Sequence, residues 1–189
     1  MEKLTLGIIV ASTRPGRVGI YIAKWVLDAA ARHGKFDTKL LDLLEINLPF
    51  LDEPAHPTLQ QYTKEHTKAW SATVDALDAV VMVTPEYNYS SPAPLINALD
   101  YLYKEWNYKP AAFVSYGGVS GGMRSVQMSK NLVSALSMMA IPDGVAIASV
   151  KKHLDEQNGF MPEEYHERSA AEMFDELHKW AVALKPMRA

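Results

Sequence analysis

Short apolar runs recur along the chain, separated by longer polar or amphipathic stretches. The first run, Leu4–Val10, is rich in β-branched residues and short enough for a strand buried on both faces of a sheet. The same reasoning predicts strands over residues 36–43, 79–83, 111–115 and 144–149. The strand at 36–43 alternates weakly between apolar and polar positions, which is typical of the edge of a sheet.

The stretches between the predicted strands carry apolar residues three and four positions apart, the spacing of an amphipathic helix. This pattern predicts helices over residues 17–32, 58–76, 92–106 and 123–140, and a last helix that opens at Pro162. The helix that starts at Pro92 already has enough apolar residues to form its core-facing side. The aromatic residues Tyr101, Trp106 and nearby Tyr108 are additional to that set. We therefore expect these three rings to form a partner surface.

Alternating strands and helices predict an α/β fold of three layers, with a doubly wound five-stranded parallel sheet and right-handed crossovers. The simplest winding at this length has the strand order 2-1-3-4-5. Ligands of such sheets bind where the order reverses, which is between strands 1 and 3. The loops after strands 1, 3 and 4 would then meet at one edge of the sheet.

Composition narrows the class of protein. With 189 residues, 48% hydrophobic and 22% charged, the chain is predicted to form one domain over residues 1–189, and we expect a cytoplasmic protein without a membrane segment. The net charge of −3 gives no basic field for nucleic acid. The lack of cysteine excludes disulfides, thiolate metal sites and cysteine nucleophiles.

The loop after the first strand has the chemistry of an anion site. Ser12 and Thr13 supply hydroxyl groups, Arg14 and Arg17 supply cationic side chains, and Gly16 lets the backbone turn. A helix predicted to start near Arg17 would add free amide groups and the positive end of its dipole. The alternative is an ordinary capped turn with two solvated arginines.

The other two loops favour a flat, polar-edged ligand. In the second loop, Pro85 restrains the turn, Tyr87 is a large amphipathic ring, and Asn88 tolerates left-handed conformations. The third loop, Tyr116–Gly122, contains four glycines and lets a ligand approach its backbone. A phosphate site, a ring site and backbone donors together match the three parts of flavin mononucleotide (FMN).

Three further features of the sequence are candidate sites. Asp42 ends the second strand, where a dinucleotide fold holds a ribose, but the first loop lacks Gly-x-Gly-x-x-Gly, so we interpret Asp42 as structural. The acidic and histidine residues near His166 lack metal-ligand spacing, so no metal is expected. The sequence around Ser120 fits Gly-x-Ser-x-Gly, which keeps a serine hydrolase as an alternative.

Three stretches of the sequence resemble the NADPH-dependent FMN reductase family. They are Ala-Ser-Thr-Arg-Pro-Gly-Arg, Thr-Pro-Glu-Tyr-Asn-Tyr-Ser-Ser-Pro, and Ser-Tyr-Gly-Gly followed by Gly-Gly-Met-Arg. The resemblance extends from Leu4 to about Leu184 and implies a flavodoxin-like FMN-binding domain that uses NADPH. It also implies a homodimer or homotetramer. Many relatives have asparagine where this chain has Gly19.

The resemblance assigns each loop a part of the cofactor. The first loop would hold the phosphate, the second would contact the isoalloxazine ring, and the third would line the pyrimidine side of the ring. The residues implied are Ser12, Thr13, Arg14, Arg17, Val18 and Gly19 in the first loop, Pro85, Glu86, Tyr87 and Asn88 in the second, and Ser115, Tyr116, Gly117 and Gly118 in the third.

The implied reaction is a hydride transfer from NADPH to bound FMN, followed by electron transfer to a quinone-like or other small acceptor in the same place. No side chain need act as an acid or a base. Either Arg14 or Arg17 is expected to meet the extra phosphate of NADPH. An alternative from a different class is a flavin-binding electron carrier or redox-sensing partner protein without turnover of its own.

Overall fold

A computed structural model describes residues 3–157 and 159–188. The central sheet is parallel and has the strand order β2-β1-β3-β4-β5, which confirms the predicted winding. Its strands and the six α-helices of the described residues are β1 (Leu4–Val10), α1 (Gly19–His33), β2 (Phe36–Asp42), α2 (Leu43–Ile46), α3 (Glu65–Asp75), β3 (Ala79–Pro85), α4 (Ala93–Asp100), β4 (Pro110–Tyr116), α5 (Met123–Ala135), β5 (Met139–Ile147) and α6 (Glu164–Leu184). A short antiparallel hairpin, β6 (Leu154–Asp155) with β7 (Gly159–Phe160), precedes α6 and was not predicted.

Two apolar cores lie on opposite faces of the sheet, as a three-layer fold requires. Helices α1 and α6 cover one face, and α3, α4 and α5 cover the other. Successive residues of β1 serve both cores, because Ile8 packs in the first and Ile9 in the second. No helix within residues 3–157 or 159–188 combines the length and apolar character needed to cross a membrane.

The helix predicted over residues 58–76 is shorter than expected. A 3-10 turn at Pro57–Leu59 ends at Gln60, whose φ of 52° breaks the helix. The carboxylate of Glu53 then accepts hydrogen bonds from the amides of Thr63 (2.9 Å) and Lys64 (2.9 Å), so α3 begins only at Glu65. The bonds from Glu53 thus hold Lys64 in an extended conformation (φ −89°, ψ 138°), which overrides the local helical pattern.

The prediction that the helix after Pro92 carries an aromatic partner surface is wrong. Helix α4 ends at Asp100, and the chain then folds back, so that Tyr101 and Trp106 are both 0% exposed. The Tyr101 hydroxyl donates to the Pro49 carbonyl (3.1 Å), and the Trp106 indole donates to the Leu99 carbonyl (3.2 Å). Tyr108 alone of the three expected rings lies at the surface.

The boundary between α5 and β5 also differs from the prediction. The helix expected to reach residue 140 ends at Ala135, and Ser137 turns the chain with a φ of 57°. Strand β5 therefore starts at Met139 rather than at Gly144. This edge strand contains Pro142, and its register against β4 shifts between Ala111 and Phe113.

Candidate functional site

The loops after β1, β3 and β4 meet at the carboxyl edge of the sheet and bond directly to one another. The Ser12 hydroxyl lies 2.7 Å from the Tyr87 hydroxyl, which joins the first loop to the second. The Glu86 amide donates to the Tyr116 carbonyl (3.3 Å), which joins the second loop to the third. Pro85, predicted in the ring loop, is the buried last residue of β3 and pairs with Tyr116.

The first loop leaves several amide groups free at the start of α1. The amides of Thr13, Val18, Gly19 and Ile20 donate to no other described residue. Val18 is the N-cap and provides no side-chain cap, and the first turn of α1 contains no acidic residue. Free amides at the positive end of a 15-residue helix form a site for an anion such as a phosphate monoester.

The two arginines of the first loop have different environments. The Arg17 guanidinium forms a two-pronged ion pair with Asp42 and donates to the Ser12 carbonyl (2.9 Å). Its side chain is only 12% exposed, that of Asp42 3%, and the hydrogen bond to Asp42 raises the pKa of Arg17. Asp42 also caps α2 through the Leu44 amide (3.0 Å), so it is structural. Arg14 is exposed, and its guanidinium bonds to no described residue.

The second loop is a tight turn with both central residues in the left-handed region. Asn88 has a φ of 51° and Tyr89 a φ of 67°, and the backbones of Tyr87 and Ser90 exchange hydrogen bonds of 3.1 and 3.0 Å. This is the geometry of a type I′ turn. Asn88, singled out in the sequence because it tolerates left-handed conformations, adopts one.

Glu86 ties the second loop to the start of α5. Its carboxylate accepts hydrogen bonds from the Ser120 hydroxyl (2.9 Å), the Arg124 amide (3.0 Å) and the Arg124 guanidinium (2.8 Å). Burial raises the pKa of Glu86, but the bonds from Arg124 and Ser120 outweigh it and lower the pKa overall. The Arg124 guanidinium also lies 4.0 Å from the centre of the Tyr89 ring, which adds a cation–π contact.

The contacts of Ser120 do not form the triad of a serine hydrolase. Its hydroxyl donates to a carboxylate rather than to a histidine. Farther along the chain, His153 pairs with Glu163 (3.2 Å), and His166 accepts a hydrogen bond from the Glu163 amide (3.0 Å).

The third loop uses most of its polar groups to hold its own shape. The Ser115 hydroxyl donates to the Gly121 carbonyl (2.7 Å), and the Gly117 amide donates to the Ile147 carbonyl (3.2 Å). The Gly117 carbonyl accepts from the Val150 amide (3.0 Å), and the Gly118 carbonyl from the Ser149 amide (2.7 Å). The Gly118 amide bonds to no described residue, and a side chain there would meet no atom within 4 Å. Gly118 therefore presents an open backbone donor.

Tyr116 explains why residue 19 is glycine. A Cβ atom on Gly19 would lie 2.5 Å from the Tyr116 hydroxyl, so neither alanine nor asparagine fits without movement. The Tyr116 hydroxyl is buried without a hydrogen-bond partner among the described residues, and burial raises its pKa. The Tyr116 side chain thus packs closely against the first turn of α1 at Gly19.

Several residues that hold the site were not predicted from the sequence. Besides Ser120 and Arg124, which bond to Glu86, a buried hydroxyl cluster lies beneath the second loop. Its members are Thr84, Ser91, Ser125 and Ser129. The Ser91 hydroxyl donates to the Ser125 carbonyl (3.0 Å) and lies 2.5 Å from the Ser129 hydroxyl. The four-residue spacing of Ser125 and Ser129 on the inward face of α5 was the available signal.

The residues present fit FMN. Unused amides at the start of α1 suit its phosphate, and the open Gly118 amide suits a polar ring edge. Among the described residues, no cluster of three histidine, aspartate or glutamate side chains could hold a metal ion.

Comparison with known proteins places the chain in a family. The sequence model described as NADPH-dependent FMN reductase matches residues 4–152. An NAD(P)H-dependent FMN reductase of Schizosaccharomyces pombe is 43% identical over 137 residues, 71% of this chain and 68% of that protein. An NADPH:quinone oxidoreductase of Arabidopsis thaliana is 49% identical over 51 residues, 25% of this chain and 26% of that protein. Among solved structures, FerB, a flavoenzyme NAD(P)H:(acceptor) oxidoreductase from Paracoccus denitrificans, has a TM-score of 0.74 at 24% identity and covers 96% of this chain and 98% of its own.

Proposed function

Because the chain belongs to the NADPH-dependent FMN reductase family, we propose that it passes a hydride from NADPH to FMN held by the three loops, and then electrons to a quinone-like acceptor. The observation that carries the proposal is the convergence of the loops, which the Ser12–Tyr87 and Glu86–Tyr116 hydrogen bonds join into one site. When bound, FMN supplies the redox chemistry, and the protein supplies binding and orientation.

Each part of the site has a proposed role. The phosphate accepts hydrogen bonds from the free amides of Val18 and Gly19, from Thr13 and from Arg14. Arg17 acts indirectly. Its guanidinium bonds to the Ser12 carbonyl and to the Asp42 carboxylate, and so it holds the Ser12 backbone in position. Tyr87 and Asn88 flank the ring, and the open Gly118 amide donates to its polar edge. In this arrangement Glu86, Ser115, Tyr116 and Gly117 hold the loops in place.

Besides the quinone-like acceptor, we propose that the protein forms a homodimer or homotetramer. A quinone is supported by the similarity to the Arabidopsis enzyme named for it. Assembly near the site is supported by exposed apolar side chains beside the second and third loops: Tyr89, Val119, Met123 and Met128.

The absorption spectrum of the purified protein tests the reductase function. With FMN, we expect the visible flavin band, its loss on anaerobic addition of NADPH, and its return on addition of a quinone. A carrier would bind FMN without bleaching by NADPH. A hydrolase would react with a fluorophosphonate through Ser120 and lose that labelling in Ser120→Ala. Either result would refute the proposal.

A matched pair of variants tests the phosphate site. Thr13→Ala should weaken FMN binding but leave riboflavin binding unchanged, because riboflavin lacks the phosphate. Thr73→Ala removes a comparable hydroxyl from α3, where it bonds to the Ala69 carbonyl (2.8 Å), and should leave both affinities unchanged. Equal losses for FMN and riboflavin in Thr13→Ala would place the phosphate elsewhere.

A further inference from the structure

An apolar cleft of about 370 Å³ opens between α2 and α4, next to the loop site. Leu43 and Leu44 line it from α2, and Pro94 and Asn97 line it from α4. None of its eleven lining residues carries a charge, although 22% of the residues in the chain are charged. Its size lies in the range of small-molecule sites, and its lining suits a neutral, flat group.

One wall of this α2–α4 cleft is held rigidly. The Asn97 side chain donates to the Pro49 carbonyl (2.7 Å) and accepts from the Leu51 amide (3.0 Å), and Tyr101 donates to the same Pro49 carbonyl (3.1 Å). These bonds fix the backbone on both sides of Phe50, whose side chain is 84% exposed. Phe50 therefore offers, on a fixed backbone, an aromatic ring that stacks on no other ring within residues 3–157 and 159–188 and can stack on a ligand.

The position of the cleft determines which ligand it suits. Thr13 belongs both to the cleft and to the first loop, so the cleft lies directly beside the proposed phosphate site. No cleft residue comes from the ring loop, residues 85–88, or from the third loop, residues 115–118. An acceptor must reach the ring, so it does not suit this place. The cleft instead suits the far end of an extended ligand whose reactive end lies at the ring.

We propose that the α2–α4 cleft binds the adenine base of NADPH, stacked on Phe50. This inference rests on the proposed function, which brings NADPH to the ring loops. Adenine is aromatic and uncharged, as the lining requires. The Asn47 side chain, which bonds to no described residue, and the Thr13 hydroxyl supply polar partners at the rim.

A tryptophan reporter tests the stacking without turnover. In Phe50→Trp, we expect oxidised NADP⁺ to quench the added fluorescence, whereas nicotinamide mononucleotide, which lacks adenosine, should not. Met187→Trp is the matched control, because Met187 is also exposed and lies near Tyr108 and Lys109, at the amino end of β4. Equal quenching by both nucleotides, or none by NADP⁺, would overturn the proposal.

Steady-state kinetics of Phe50→Ala provide the second readout. Loss of a base–aromatic stack should raise the KM for NADPH by roughly tenfold and leave the KM for the quinone unchanged. A rise in the quinone KM alone would assign the cleft to the acceptor and overturn the inference. If the wild-type protein binds FMN but NADPH does not bleach it, the reductase proposal fails, while the fluorescence titration still decides whether adenine enters the cleft.

Discussion

Asp42→Asn should destabilise the protein without improving its affinity for FMN. The substitution keeps the shape of the side chain but removes the charge that faces Arg17. Removing one partner of a buried ion pair costs roughly 3–5 kcal/mol. Because Arg17 keeps some solvent exposure and its bond to the Ser12 carbonyl, we expect the lower end, about 3 kcal/mol.

Urea unfolding of the apoprotein measures this loss. With a slope of roughly 2 kcal/mol per molar urea, the midpoint should fall by about 1.5 M. Asp37→Asn is the matched control, because Asp37 lies on β2 like Asp42 but pairs with Lys3 (3.9 Å) at the exposed surface. Loss of this exposed pair should barely move the urea midpoint.

The affinity for FMN, measured in the same variants, separates two roles for Arg17. If Arg17 positions the Ser12 backbone, Asp42→Asn loosens the loop and weakens FMN binding. If Arg17 is itself the phosphate ligand, the substitution frees its guanidinium and strengthens FMN binding. A gain in affinity, or an unchanged midpoint, would therefore refute the positioning role.

Three further outcomes follow from the geometry. Gly19→Ala should cost about 1–3 kcal/mol of stability in urea unfolding, because its Cβ meets the Tyr116 hydroxyl. Adding Tyr116→Phe should recover most of that loss, and no recovery would contradict the steric explanation. Arg14→Ala should weaken FMN binding about fivefold, equivalent to ~1 kcal/mol, and leave riboflavin unaffected in fluorescence titrations. Burial raises the pKa of Asp78, but hydrogen bonds from the Thr5 amide, Arg188 and Lys185 lower it overall, so its stabilisation should be present above the usual carboxyl pKa near 4 and be lost as the pH falls further. The difference in Tm between wild type and Asp78→Asn should accordingly shrink from pH 6 to pH 3, and a constant difference would contradict the assignment.

The sheet and the meeting of its loops were predictable because both depend on local pattern and chain handedness. Apolar runs mark the strands, and right-handed crossovers then fix which loops share an edge. The sequence also contains a signal for the type I′ turn, because Asn88 is of a residue type that tolerates a positive φ.

Features that depend on distant partners were not predictable. Glu53 shortens α3 from ten residues away, and the return of the chain after Asp100 buries Tyr101. The partner of Arg17 lies 25 residues along the chain. Nothing in the sequence of the first loop indicates that Arg17 pairs with Asp42 whereas the Arg14 guanidinium bonds to no residue in the described part of the chain.

The two outer margins of the sheet limit how copies of this protein can associate. On β5, Pro142 and the shifted register interrupt the row of backbone groups that a foreign strand would need. On β2, exposed Asp37 and Lys39 place charge along the other margin. These two features discourage growth into cross-β fibres at both margins of the sheet, so any association between copies would have to use the helices and loops instead.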